Sequence, residues 1–126
     1  MFNSELLKEQ LQMILQALQR IPRRFEYIKI PNDFLCSDEG TDKLDAICMM
    51  LIAVGEGVKK IDHHTNGELF ARYPEIDWKG IKGVRNVIAH GYFDIDVEQV
   101  FDICQKDIPE LISTIQTILK QEFNVY

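Results

Sequence analysis

Apolar residues recur along this chain at intervals of three and four, the spacing of one face of an α-helix. Leu7, Leu11, Ile14, Leu18 and Ile21 form the first stripe, with Asn3 or Ser4 placed to cap its start. Pro22 breaks or kinks that helix, and "IPRRFEYI" extends it by a further turn or two. "KIPNDFLCSDEGT" reads as a connection rich in turn formers. A second helix is expected over Asp42 to Ile61, with Leu44, Ile47, Cys48, Leu51, Val54, Val58 and Ile61 on one side. Gly55 and Gly57 lie inside it, each costing about 1 kcal/mol relative to alanine. Their presence implies that another helix or a ligand comes close to this backbone.

"DHHTNG" ends the second helix, and "ELFARY" forms a short helical piece before Pro74. The third long helix is expected from near Asp77 to Gly91. The last starts at about Asp96, where Asp96 and Gln99 resemble a capping box. Its stripe is Val97, Phe101, Cys104, Ile108, Leu111, Ile115 and Ile118, and Pro109 inside it predicts a kink or break. No strand-like alternation of comparable length and no internal repeat is present. The pattern predicts an all-α protein, a four- to five-helix up-and-down bundle, as one domain over residues 1–126. The stripes of the first and last helices are expected to be used by the core of the monomer.

Composition narrows the function. Hydrophobic residues make up 46% and charged residues 27%, an ordinary globular balance. The longest apolar run, Ala46 to Val54, is far short of the roughly 20 residues of a membrane span. The first residues show no secretory signal, so a cytoplasmic protein is expected. A net charge of −6 gives no general attraction for nucleic acid, so any such site must be local. Cys36, Cys48 and Cys104 are irregularly spaced, which argues against a disulfide framework or a zinc site. His63 and His64 are adjacent in an expected loop without a spaced Cys or His partner, so no metal site is assigned.

The chemistry concentrates in "GVRNVIAHGYFDID", Gly83 to Asp96. Trp78, Ile81, Val84, Ile88 and Ala89 cover one face of the third helix, and Arg85 falls within that arc. An unpaired buried guanidinium is very costly. Arg85 must therefore meet a carboxylate, escape along the helix edge or line a cleft. Glu56 is either the carboxylate that pairs Arg85 or a solvated helix residue. Arg85 and His90, five apart, point about 140° away from each other on an ideal helix, unless Gly91 lets the chain leave it. Taken singly, His90 also fits a histidine favoured by a helix end, and Tyr92 fits partly buried packing. Arg20, Arg23, Arg24, Lys79 and Lys82 could supply local phosphate contacts or simply a solvated face.

"RNVIAHGY" fits Arg-x4-His-x-Tyr and resembles the signature of the HepT-like toxins of the HEPN superfamily, which are small all-helical proteins. "AVGEGVKKI" resembles the Gly-Glu region of the family's second helix, and "YPEIDWKGIKGVRN" its approach to the motif. "DVEQVFDICQKDIPELISTIQ" resembles its final helix, interior proline included. The likeness runs from about Leu44 to Leu119. It implies a metal-independent ribonuclease without a cofactor, the toxin of a type VII toxin–antitoxin pair. The implied partners are an RNA substrate and a minimal nucleotidyltransferase antitoxin that transfers AMP to the motif tyrosine. Carried over residue by residue, Arg85 and His90 are the catalytic pair, Asn86 and Glu56 support them, and Tyr92 is modified. Gly91 stands where relatives often have Asp. Family members set two such motifs face to face in a homodimer. The alternative is a non-catalytic subunit that binds a nucleotide and docks a nucleotidyltransferase.

Overall fold

The computed structural model describes residues 3–88 and 93–126. The architecture is all-α, and no strand forms among the described residues. Helix α1 spans Ser4–Phe25, and Asn3 caps it by accepting the Leu6 N–H at 3.1 Å. The five residues of its stripe are all buried. Pro22 lies inside this helix without ending it. The last turn is held by packing: the Phe25 ring meets Phe101 edge-on at 5.2 Å and Phe34 at 6.3 Å.

A 3₁₀ turn over Pro31–Phe34 follows, closed by the Asp33 carboxylate, which accepts from the backbone N–H groups of Lys29 and Ile30. Helix α2, Asp38–His64, begins four residues before the expected Asp42. Ser37 accepts the Gly40 N–H, and Gly40 is buried against the 3₁₀ turn. A Cβ there would lie 2.0 Å from the Asp33 carbonyl oxygen, so a glycine that reads as a breaker is what lets the helix start here. The helix also runs past Ile61, so His63 and His64 occupy its last turn rather than a loop.

Short helices α3, Glu68–Ala71, and α4, Trp78–Lys82, lead into α5, Val84–Ile88. The Trp78 ring stacks on Phe70 with centroids 4.0 Å apart, and its indole N–H donates to the Tyr73 carbonyl at 2.9 Å. The single third helix expected from Asp77 is divided at Gly83, where the backbone turns tightly and Gly83 donates to Lys79. Its expected end at Gly91 lies outside the described residues.

The final column is α6, Val97–Asp102, a π turn at Ile103–Asp107, and α7, Ile108–Phe123. The Asp96 carboxylate caps α6 by accepting the Gln99 N–H. Pro109 explains the π turn: it has no N–H, and the wider turn closes instead with Ile108 donating to Ile103. The column is distorted next to Pro109, where a kink or break was expected, and continues into α7 without a break. Phe101, Cys104, Ile108, Leu111, Ile115 and Ile118 are buried, with α7 packed against α1. Both stripes are thus used by the core. Among the described residues no helix is long and apolar enough to cross a membrane.

Candidate functional site

Of the residues named from the sequence, Glu56, Arg85 and Asn86 lie near the crossing of α2 with α4 and α5. Gly55 makes that crossing close. A Cβ on it would lie 2.8 Å from the Ile81 carbonyl oxygen and 3.0 Å from Val84 Cγ1. Gly57 serves α1 in the same way, since its Cβ would meet Ile14 at 2.9 Å. The two glycines therefore mark helix contacts on two sides of α2.

Glu56 and Arg85 each follow one member of the Gly55–Val84 contact in sequence. Both side chains are exposed, and they form no ion pair with each other. Arg85 escapes the apolar arc by reaching solvent while Val84 and Ile88 remain buried. Asn86 is also exposed, and its backbone N–H donates to Gly83. Glu56 lines an open cleft with Lys59, Lys60, His63 and Lys82. Asp62, also in that cleft, holds the Lys82 ammonium at 2.7 Å. Lys82 ends α4 and Arg85 lies in α5, three residues on and across the break at Gly83. The cleft thus carries local positive charge on a chain whose net charge is negative.

His90, Gly91 and Tyr92 lie outside the described residues, but the two ends of their segment are placed. Ile88 is fully buried, and the Asp96 N–H donates to its carbonyl at 2.7 Å. The chain therefore leaves α5 and returns to the same point, within one turn of Arg85. Phe93, on the returning side, is fully exposed.

Sequence reasoning did not place Lys59 and Lys60 here, although both fall one turn after Glu56 and so share its face. Of the other basic residues weighed for phosphate contacts, Arg20 reaches the Met50 sulfur at 3.8 Å between α1 and α2. The His63 and His64 rings are 6.2 Å apart and inclined by 51°. Among the described residues no group of three His, Cys, Asp or Glu side chains comes together to hold a metal. Burial pushes the Cys48 thiol up to about 11 and that of Cys104 up to about 12, so neither is a nucleophile at neutral pH.

Residues 14–118 match the family model described as "Ribonuclease HepT-like". The chain is similar to a Methanocaldococcus jannaschii protein named "Putative RNase MJ0127", with 32% identity over 70% of this chain and 68% of that protein. It is similar to the "Probable ribonuclease HepT" of Thermococcus cleftensis, with 31% identity over 90% of this chain and 96% of the relative. A third relative, "Putative RNase TTE0752" of Caldanaerobacter subterraneus, is 30% identical over 61% of this chain and 65% of its own. No solved structure matches the chain.

Proposed function

The chain belongs to the HepT-like ribonuclease family, and on that premise we propose that it is a metal-independent endoribonuclease, the toxin of a type VII toxin–antitoxin pair. The observation that carries this reading is the family match over residues 14–118, which encloses the whole Arg85 to Tyr92 motif. The exposure of Arg85, close to the tied ends of the segment bearing His90 and Tyr92, supports it.

RNA brings its own nucleophile. The 2′-hydroxyl oxygen attacks the adjacent phosphorus, the bond to the 5′-oxygen breaks, and the products end in a 2′,3′-cyclic phosphate and a 5′-hydroxyl. His90 moves the protons, accepting from the 2′-hydroxyl or delivering to the leaving oxygen, because imidazole changes charge near neutral pH. Arg85 holds the phosphate bidentately and stabilises the charge that grows on its oxygens. Lys59, Lys60 and Lys82 add attraction for the strand on an acidic protein. Two copies facing each other complete the cleft, so that Arg85 and His90 need not work from one helix. Glu56 and Asn86 support this constellation.

Silencing acts at Tyr92. A nucleotidyltransferase antitoxin transfers AMP from ATP to its phenol, with pyrophosphate leaving, which places an anion where the RNA phosphate must sit. The test of the whole reading is cleavage of a single-stranded RNA by purified protein in excess chelator, with the ends of the products determined by mass spectrometry. Cyclic phosphate ends are expected. Absence of cleavage by the purified chain under any tested metal condition would remove the catalytic reading and leave a nucleotidyltransferase-docking subunit.

A further inference from the structure

A second groove borders helices α4 and α5 and shares no described lining residue with the lysine-lined cleft. It has a volume of about 320 Å³ and runs between α2, the α4–α5 pair and the π turn. Its floor is apolar, formed by Leu51, Val54, Ile81, Val84 and Ile103, and Val87 stands at its edge 43% exposed. The volume is at the small end of the roughly 300–1,000 Å³ of small-molecule sites and suits a few aliphatic side chains.

The described rim residues carry one sign of charge. Glu75, Asp77, Asp107 and Glu110 line it, all exposed, and no Lys, Arg or His is among the described lining residues. The other cleft is lined by Lys59, Lys60 and His63 of α2 and by Lys82 at the end of α4. The π turn shapes the groove directly, because its first and last residues, Ile103 and Asp107, both line it. Such turns are rare and recur at functional positions.

From this arrangement we infer that the groove is a docking site for a basic amphipathic helix of another protein. Its apolar residues would lie on the floor and its lysines or arginines against the four carboxylates. The charge selects the occupant. A nucleic-acid strand would set its phosphates against the acidic rim, which the lysine-lined cleft avoids. A second copy meeting this face across a two-fold axis would bring the acidic rim against itself. A basic helix neutralises the rim and covers the apolar floor together. The inference does not depend on ribonuclease activity, because none of the groove residues is assigned to cleavage.

The probe is a synthetic, fluorescein-labelled helical peptide with leucines at i, i+4 and i+7 flanked by lysines. A second version carries glutamates in place of the lysines. Fluorescence anisotropy with the full chain is expected to show binding of the lysine peptide, and binding of the glutamate peptide at least about tenfold weaker. Amide shifts on adding the lysine peptide should centre on Ile81, Val87 and Ile103. Asp107→Lys with Glu110→Lys should weaken the lysine peptide by about tenfold or more. Glu5→Lys with Glu9→Lys on α1, an equal change in net charge elsewhere, should alter it less than about twofold. RNA cleavage should be the same in both double variants. Circular dichroism confirms that each keeps its helicity, and Val87→Arg offers an independent block of the groove. Equal peptide affinity in the Asp107/Glu110 variant, or shifts centred elsewhere, overturns the inference. A wild-type dimer that Val87→Arg converts to monomer also overturns it, by assigning the groove to a second copy. An RNA oligonucleotide that crosslinks to Val87 or Ile103 overturns it in favour of the substrate.

Discussion

Gly55 on α2 and Val84 on α5 touch so closely that a methyl group on the glycine would sit 3.0 Å from Val84 Cγ1, and 2.8 Å from the Ile81 carbonyl. The second neighbour is backbone and cannot rotate aside. Gly55→Ala should therefore push α4 and α5 outward and destabilise by about 1–2 kcal/mol, overpacking exceeding the gain in helix propensity. RNA cleavage should fall by more than the loss of stability explains, because Arg85 moves with α5. Gly57→Ala meets only the Ile14 side chain and should stay within about 1 kcal/mol of wild type. Urea denaturation alongside a cleavage assay separates the two glycines, and equal behaviour would contradict this account of the crossing.

Arg85→Ala and His90→Ala should each reduce cleavage by about 100-fold or more. Arg85 is exposed, so its replacement should change stability by no more than about 0.5 kcal/mol. Arg85→Lys should recover little activity, since an ammonium cannot present the bidentate fork. A chelator should leave wild-type cleavage unchanged. Full activity in His90→Ala protein freed of host nuclease would remove the histidine from the mechanism.

Incubation with a cognate nucleotidyltransferase, ATP and magnesium should add adenylyl groups that peptide mass spectrometry maps to Tyr92. Tyr92→Phe should keep its helicity and escape silencing. Modification at Tyr126, which is 90% exposed, or silencing of Tyr92→Phe as fast as wild type, would place the switch elsewhere.

Three buried groups link stability to alkaline pH. Burial pushes Cys48 up to about 11 and Cys104 up to about 12, from an ordinary value of 9.0. Tyr73 rises from 10.0 to about 12, through burial first and then through its hydrogen bond to Glu122. Raised values mean that the folded chain holds these protons more tightly. The stabilisation is complete below pH 9 and is lost as pH rises from there towards 12. Denaturation midpoints should fall steadily above pH 9, and Tyr73→Phe should flatten the upper part of that fall. At neutral pH an aromatic disulfide reagent should react quickly with Cys36 and with the other two cysteines only after unfolding.

Pro22 interrupts the hydrogen bonding of α1 yet is exposed and makes no turn. Pro22→Ala restores a donor to the Leu18 carbonyl, and the lost rigidity of the unfolded chain offsets part of that gain. A net stabilisation of about 1–2 kcal/mol is expected from chemical denaturation. Destabilisation would mean that the packing of Phe25 requires the geometry proline imposes.

Periodic features of this fold are legible along the chain, whereas features set by contact are not. The stripe from Leu7 to Ile21 and that from Phe101 to Ile118 identify their buried faces because each helix has one partner side. The start of α2 is hidden because Gly40 reads as a breaker, and only the Asp33 carbonyl lying against it shows why glycine is needed. The break at Gly83 is hidden because apolar spacing continues across it from Ile81 to Ile88. The π turn leaves one trace, Pro109, which signals a disturbance without its form. At the site, the motif is readable from residue order alone, and the two glycines around Glu56 announce a close approach. That Arg85 reaches solvent, and that Lys59, Lys60 and Lys82 share a cleft with Glu56, depends on how α5 crosses α2.

The hydrogen bond from the Asp96 N–H to the Ile88 carbonyl gives the chain a point of interchange. Residues 89–95 lie between these two joined points, and of them Ile95 packs against the core. Even doubling their number would add only about 0.6 kcal/mol of closure entropy. Exchange of residues 89–94 is therefore expected to leave α5 and α6 in register. Relatives would then diverge in target and in control fastest where the frame is least affected. Transplanting residues 89–94 between two such proteins should carry substrate preference with them and leave stability behind.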